Sequence, residues 1–131
     1  MEKHGGGTGK RRVLVVDDEA GATELVACYL EPRGFEVVQL NDPTRALEAL
    51  RPGGWDLLIV DYMMPRLRGV DLVEQVRREP GLAGLKVMLL SAKDLSLEDR
   101  ERCLRMGVSA QRKPFTSAGL FDKVASLLGS R

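Results

Sequence analysis

The sequence predicts a doubly wound α/β domain, with five parallel strands in one open sheet and five helices shared between its faces. Three observations predict it. Val13 to Val16 is a continuous apolar, β-branched run, and Trp55 to Val60 is of the same type, as expected for strands covered on both faces. The strand-like runs alternate with segments whose apolar residues recur at helical spacing and stop at Gly or Pro. Crossovers between parallel strands are right-handed and need a helix each, so this alternation builds a sheet with helices on both sides.

The elements follow in order. After the first strand, Ala22, Leu25, Val26, Tyr29 and Leu30 mark a helix from Ala20 to about Glu31, which Pro32-Arg33-Gly34 ends. Phe35 to Leu40 is the second strand. Asn41-Asp42-Pro43 is a helix-start signal, and Ala46, Leu47 and Leu50 give the second helix its apolar face before Pro52-Gly53-Gly54. The third strand, Trp55 to Val60, ends in Asp61. Beyond the turn at Pro65 and Gly69, Val70, Val73 and Val76 define a third helix to Arg78, closed by Glu79-Pro80-Gly81. Lys86 to Leu90 is the fourth strand, ending at Ser91. A helix from about Leu97 to Met106, a short strand near Val108 to Arg112 and a helix from Thr116 to Leu128 complete the chain.

At 131 residues, 44% hydrophobic and 30% charged, the chain fits one folded domain and is too small for a second. Residues 1–11 are read as a Gly-rich, basic, flexible tail and residues 12–131 as the domain. Gly5-Gly6-Gly7-Thr8-Gly9-Lys10 imitates a phosphate-binding loop, but His4 stands where its first Gly belongs and the segment precedes a strand. Twenty basic against nineteen acidic residues supply no general field for nucleic acid or an anionic membrane, so contact with neither is expected. The first apolar run is too short for a signal-peptide core or a membrane span, and a cytoplasmic protein is expected. Cys28 and Cys103 lie far apart without CxxC spacing, which argues for reduced thiols and against a thiolate metal site.

The polar residues at the strand ends carry the functional reading. Asp17 and Asp18 follow the first strand, Asp61 the third, Ser91 the fourth and Lys113 the fifth, all on one edge of the expected sheet. Such carboxylates, brought together, repel one another unless a cation compensates them. Oxygen donors of this kind suit Mg²⁺ rather than zinc. Asp61 can then act as a nucleophile toward phosphorus, with Lys113 and Ser91 taking up charge on the phosphoryl oxygens.

Four segments, Val13-Leu14-Val15-Val16-Asp17-Asp18-Glu19, Asp61-Tyr62-Met63-Met64-Pro65 with Gly69, Leu90-Ser91-Ala92 and Lys113-Pro114-Phe115, together resemble the receiver domain of two-component response regulators. The resemblance spans roughly Arg12 to Leu128 and implies a flavodoxin-like strand order of 2-1-3-4-5. It implies that Asp61 is phosphorylated by a histidine kinase or phosphotransfer protein. Asp18, Asp61 and the Met63 carbonyl would hold Mg²⁺, and Asp17 would help through water. Lys113 would pair with the phosphoryl group, Ser91 would be the switch hydroxyl, Ala92 would keep the site open, and Pro114 would follow a cis peptide. The role is that of a signalling phospho-acceptor rather than an enzyme.

The sequence departs from the family pattern in two places. Ala110 occupies the position of the usual aromatic switch residue, three before the Lys, and the stretch Gly107 to Lys113 is one residue short. A receiver-like interaction scaffold with an impaired switch is therefore the alternative reading. A phosphohydrolase with an aspartyl nucleophile would show DxD after the first strand, whereas here Asp17-Asp18 runs into Glu19-Ala20. Arg100, Arg102, Arg105 and Arg112 have two open readings: a solvated face, or a partner or homodimer surface on the helix-four, strand-five and helix-five side. Met63 and Lys93, two residues beyond Asp61 and Ser91, offer no amide or carboxylate to orient an attacking water, so a persistent phospho-form is expected.

Overall fold

Side chains alternate across a strand, so a strand buried on both faces must be apolar at every position. In the computed structural model, which describes residues 9–129, strand β1 (Arg11–Val16) sends Val13 and Val15 into one core layer and Leu14 and Val16 into the other. Strand β3 (Leu57–Asp61) divides in the same way, with Leu57 and Ile59 opposite Leu58 and Val60. With β2 (Phe35–Leu40), β4 (Lys86–Ser91) and β5 (Ser109–Arg112) these strands form a sheet of order β2-β1-β3-β4-β5, every neighbouring pair parallel.

Two helical layers cover the sheet. Helices α1 (Ala20–Leu30) and α5 (Ser117–Leu128) bury Val26, Leu30, Leu120 and Val124 against one face. Helices α2 (Ala46–Leu50), α3 (Gly69–Arg78) and α4 (Leu97–Met106) cover the other with Leu50, Val70, Val73, Val76 and Cys103. Thr116 and Ser96 cap α5 and α4, accepting backbone N–H bonds from Gly119 and Asp99 at 2.9 and 3.1 Å. Helix α4 closes on Gly107 at φ 68°, with the Val108 N–H on the Cys103 carbonyl at 2.9 Å.

The differences from expectation lie at element ends. Strand β1 begins at Arg11, inside the stretch read as tail, and residues 1–8 of that stretch lie outside the described residues. Strand β3 begins at Leu57 and includes Asp61, which pairs in register with Leu90. Trp55 and Asp56 stand before the strand, where Asp56 meets β1 in a mixed way: its carboxylate accepts the Arg12 N–H at 2.8 Å and its own N–H bonds the Arg12 carbonyl at 2.9 Å. The indole N–H goes to the Ala49 carbonyl at 3.1 Å, and the Arg12 guanidinium lies 4.1 Å from the ring centre. Val108 belongs to the cap of α4, which leaves β5 only Ser109–Arg112. The two cysteines are free, Cys28 exposed and Cys103 buried. Among the described residues, no helix is long and apolar enough to cross a membrane.

Register delivers the strand ends to one edge. Val16 pairs with Leu40 and Val60, Asp61 with Leu90, and Ser91 with Arg112, so Asp17, Asp61, Ser91 and Lys113 emerge side by side. Gly69 seats α3 directly on this edge: its N–H bonds the Tyr62 carbonyl at 2.9 Å. A Cβ there would press into the Asp61 carbonyl and lie 2.9 Å from Leu89 Cδ1. Gly69→Ala is therefore expected to lower stability by about 1–3 kcal/mol through overpacking. An unchanged urea midpoint would contradict this close approach.

Candidate functional site

Asp17 leaves β1 held from three directions. Its N–H bonds the Leu40 carbonyl at 3.2 Å, its carbonyl accepts the Asn41 side-chain amide at 2.8 Å, and its carboxylate accepts the Glu19 N–H at 3.0 Å. Thr23, fully buried on α1, braces Asn41 at 3.1 Å and donates its hydroxyl to Gln39 at 2.9 Å. Burial pushes the Asp17 carboxyl above the ordinary aspartate value, and the negative charges of Asp61 and Asp18 push the same way. The Glu19 amide and Lys113 oppose that rise without cancelling it.

Lys113 Nζ lies 2.8 Å from Asp61 Oδ1 and 3.6 Å from Asp17 Oδ2. Burial would lower the ammonium's pKa, but the two carboxylates outweigh burial and hold it above the ordinary lysine value. On the lysine's side, the stabilising contribution of this link is present at neutral pH and is lost as pH rises through the raised value. The other Asp61 oxygen accepts the Met63 N–H at 3.2 Å. The loop carrying Lys113 is tied to β4 by its N–H on the Ser91 carbonyl at 2.8 Å, and the Lys113-Pro114 peptide is cis.

These groups open into a cleft of about 550 Å³ lined by Asp17, Asp18, Asp61, Met63, Ala92 and Lys113 among others. Four lining carboxylates, of Asp17, Asp18, Glu19 and Asp61, stand against the two ammonium groups of Lys93 and Lys113, an excess of negative charge. Among the described residues, no three carboxylate, imidazole or thiol side chains are gathered at metal-ligand spacing, and the Lys113 ammonium contacts both Asp61 and Asp17. The donor chemistry nonetheless suits a hard cation, since these carboxylates are left short of positive charge and neither imidazole nor thiol lines the cleft.

Ser91 is placed differently. It is buried, and its hydroxyl donates to the Lys93 carbonyl and accepts the Lys93 N–H at 3.2 Å. It lines a second hollow of about 280 Å³, with Leu95, Arg100 and Ala110, on the α4 side of β5. The fold thus joins Asp17, Asp61 and Lys113, sets Asp18 at the rim, and bonds the Ser91 hydroxyl within its own loop. Arg102 also departs from expectation. It reaches across to α3, 3.0 Å from Asp71 and 2.5 Å from Glu74, and so is removed from any surface formed by Arg100, Arg105 and Arg112.

Sequence reasoning missed Asp99. It sits in the first turn of α4 among charged residues, yet it is only 3% exposed. Tyr62 donates its hydroxyl to Asp99 Oδ2 at 2.5 Å and Arg68 donates to the same oxygen at 2.9 Å. Burial alone would raise this carboxyl, but the bonds from Tyr62 and Arg68 prevail and hold it below the ordinary aspartate value. Its contribution to stability is present above that ordinary value of 3.8 and fades as pH falls through the lowered one. Asp99→Asn is expected to cost about 1–3 kcal/mol at neutral pH. The gap from the parent protein should narrow in acid, below the ordinary aspartate range, and a gap independent of pH in urea titrations would refute this account.

Comparison with known proteins places this geometry. The family described as the response regulator receiver domain matches residues 13–125. The phosphate regulon transcriptional regulatory protein PhoB of Escherichia coli is 33% identical over 119 residues, covering 90% of this chain and 52% of PhoB. The CpxR homolog of Haemophilus influenzae is 32% identical over 120 residues, covering 89% and 50%. The chain therefore spans about half the length of the curated relatives it matches. Among solved structures, the chemotaxis protein CheY4 of Vibrio cholerae superposes with a TM-score of 0.84 at 26% identity, covering 92% of this chain and 100% of CheY4. A response regulator receiver protein of Pseudomonas putida gives 0.81 at 28%, covering 91% and 98%. With the expected strand order and the Asp17, Asp61 and Lys113 cluster all present, the chain belongs to the receiver-domain family of two-component response regulators.

Proposed function

We propose that Asp61 accepts a phosphoryl group from a histidine kinase or phosphotransfer protein, and that the modified domain alters its contacts with a partner. The single observation that carries this reading is the Lys113 ammonium, 2.8 Å from Asp61 and 3.6 Å from Asp17, at the head of an acidic cleft. An Asp61 carboxylate oxygen forms a bond to phosphorus as the bond from phosphorus to the donor's leaving group breaks. Lys113 already touches the nucleophile and is placed to neutralise the incoming phosphoryl oxygens. A Mg²⁺ ion held by Asp18, Asp61 and the Met63 carbonyl, with Asp17 assisting, would offset the carboxylates and polarise the phosphoryl group. On this reading the protein works in the cytoplasm, where kinase and phosphodonor are found.

A second reading is an interaction scaffold whose switch is impaired. It is favoured by the Ser91 hydroxyl bonded locally to Lys93 and by Ala110, which has no ring to follow that hydroxyl. In either reading the α4, β5 and α5 face is the proposed partner or homodimer surface, supported by Leu97 and Leu104, 73% and 79% exposed on α4.

Incubation with Mg²⁺ and a small phosphodonor separates the two. The first reading expects a mass gain of one phosphoryl group mapped to Asp61, none in Asp61→Asn, and uptake slower by about tenfold or more in Lys113→Ala. Intact protein showing no gain supports the scaffold. Once formed, the phospho-protein should persist well beyond seconds, because Met63 and Lys93 present no group to orient water. Time-resolved intact mass measures this, and loss within seconds would overturn it.

A further inference from the structure

The hydroxyl and aromatic positions that would link Asp61 to α4 are poorly equipped here. Ser91 is bonded to its own loop, and the hollow beside it is lined by Ala110, which carries only a methyl group. Another connection runs from the same strand end. Tyr62 is the residue next to Asp61, is 3% exposed, and is fixed at both backbone ends: its N–H on the Leu90 carbonyl at 2.8 Å and its carbonyl on the Gly69 N–H at 2.9 Å. Its hydroxyl donates to Asp99 at 2.5 Å and accepts the Ser96 N–H at 3.4 Å, so it grips both the cap and the first turn of α4.

Asp99 in turn gathers Arg68 from the loop after β3 at 2.9 Å and Arg102 at 3.5 Å, and Arg102 bridges to Asp71 and Glu74 on α3. A charge-assisted network of this kind, buried at Tyr62 and Asp99 and partly exposed at its outer members, resists small distortions and responds to larger ones by re-pairing. We propose that Tyr62 and Asp99 carry the state of Asp61 to α4 in this protein, so that the Tyr62 hydroxyl is a positioning group with the role that Ser91 and an aromatic at position 110 would otherwise share. The inference rests on the phospho-acceptor reading of Asp61. Its physical basis is short range: one peptide bond separates the acceptor from a rigidly held ring, and one hydrogen bond separates that ring from the helix.

Hydrogen exchange across Leu97–Met106, scored by mass spectrometry on the full chain before and after treatment with Mg²⁺ and acetyl phosphate, tests it. Only molecules carrying the mass gain on Asp61 are compared. The parent protein is expected to show a changed exchange rate in α4. In Tyr62→Phe, which keeps the ring, that change should fall by about fivefold or more. Asp99→Asn should fall likewise, and the double variant should lose no more than either single one. A phosphorylated Tyr62→Phe whose α4 responds like the parent overturns the inference and leaves the phospho-acceptor reading intact. A parent that is phosphorylated without any α4 response overturns it too, and a parent that takes up no phosphoryl group overturns both.

Discussion

The link between Lys113 and Asp61 is the contact on which the rest of the site depends. It joins the loop after the edge strand β5 to the end of the central strand β3, two strands apart in the sheet, and it reaches on to Asp17 after β1. Without a cation between them, Asp17 and Asp61 would face one another across a partly desolvated edge, where like charges resist ionising together. Burial above all, with the charges of Asp61 and Asp18 beside it, raises the Asp17 carboxyl, and Lys113 offsets only part of that rise. The remaining negative charge leaves the cleft favourable to a further cation, as the proposed roles of these carboxylates in phosphoryl uptake and metal binding would require.

Holding such charges in place requires rigid backbone beneath them. The two layers of fully buried Val, Leu and Ile fix the strands, and parallel register fixes the order in which their ends emerge. Polar side chains and one close backbone approach then lock the ends themselves: Asn41 and Thr23 under Asp17, Gly69 under Asp61. These supports never face the cleft chemistry, yet each sets the position of a carboxylate to within a hydrogen bond's tolerance.

Much of this was legible in the sequence because a strand buried on both faces must be apolar at every position, and a run as short and β-branched as Val13 to Val16 suits little else. The acids and the lysine that end such runs were legible for the same reason, since topology alone brings strand ends together. Element ends were harder. Trp55 looks like a strand residue by propensity, but the Asp56 carboxylate takes the Arg12 N–H, a backbone donor of β1, and the third strand begins only at Leu57. Asp99 and Arg102 were invisible as partners because a charged helix reads as a solvated face. Only the crossing of α3 and α4 reveals that one of their faces is turned inward. Ser91 shows what residue type and strand-end placement leave open: its hydroxyl is bonded to Lys93 in its own loop.

That last case bears on how a signal could leave the site. A switch needs two arrangements of nearly equal free energy, and packed interiors supply them more readily through re-pairing of hydrogen bonds than through continuous deformation. Where a large ring must swing between surface and interior, its removal to Ala leaves the surroundings with nothing to exchange. The Asp99 carboxylate, by contrast, has donors to choose among: the Tyr62 hydroxyl and the Arg68 guanidinium from the loop between β3 and α3, and the Arg102 guanidinium from α4 itself. Strain arriving along β3 can shift the balance among these donors with little loss of free energy, because each lost bond has a charged substitute within reach. A carboxylate shared in this way would be a simpler relay than a moving ring, and the donors gathered around it account for how a charged residue stands almost fully buried at the start of α4.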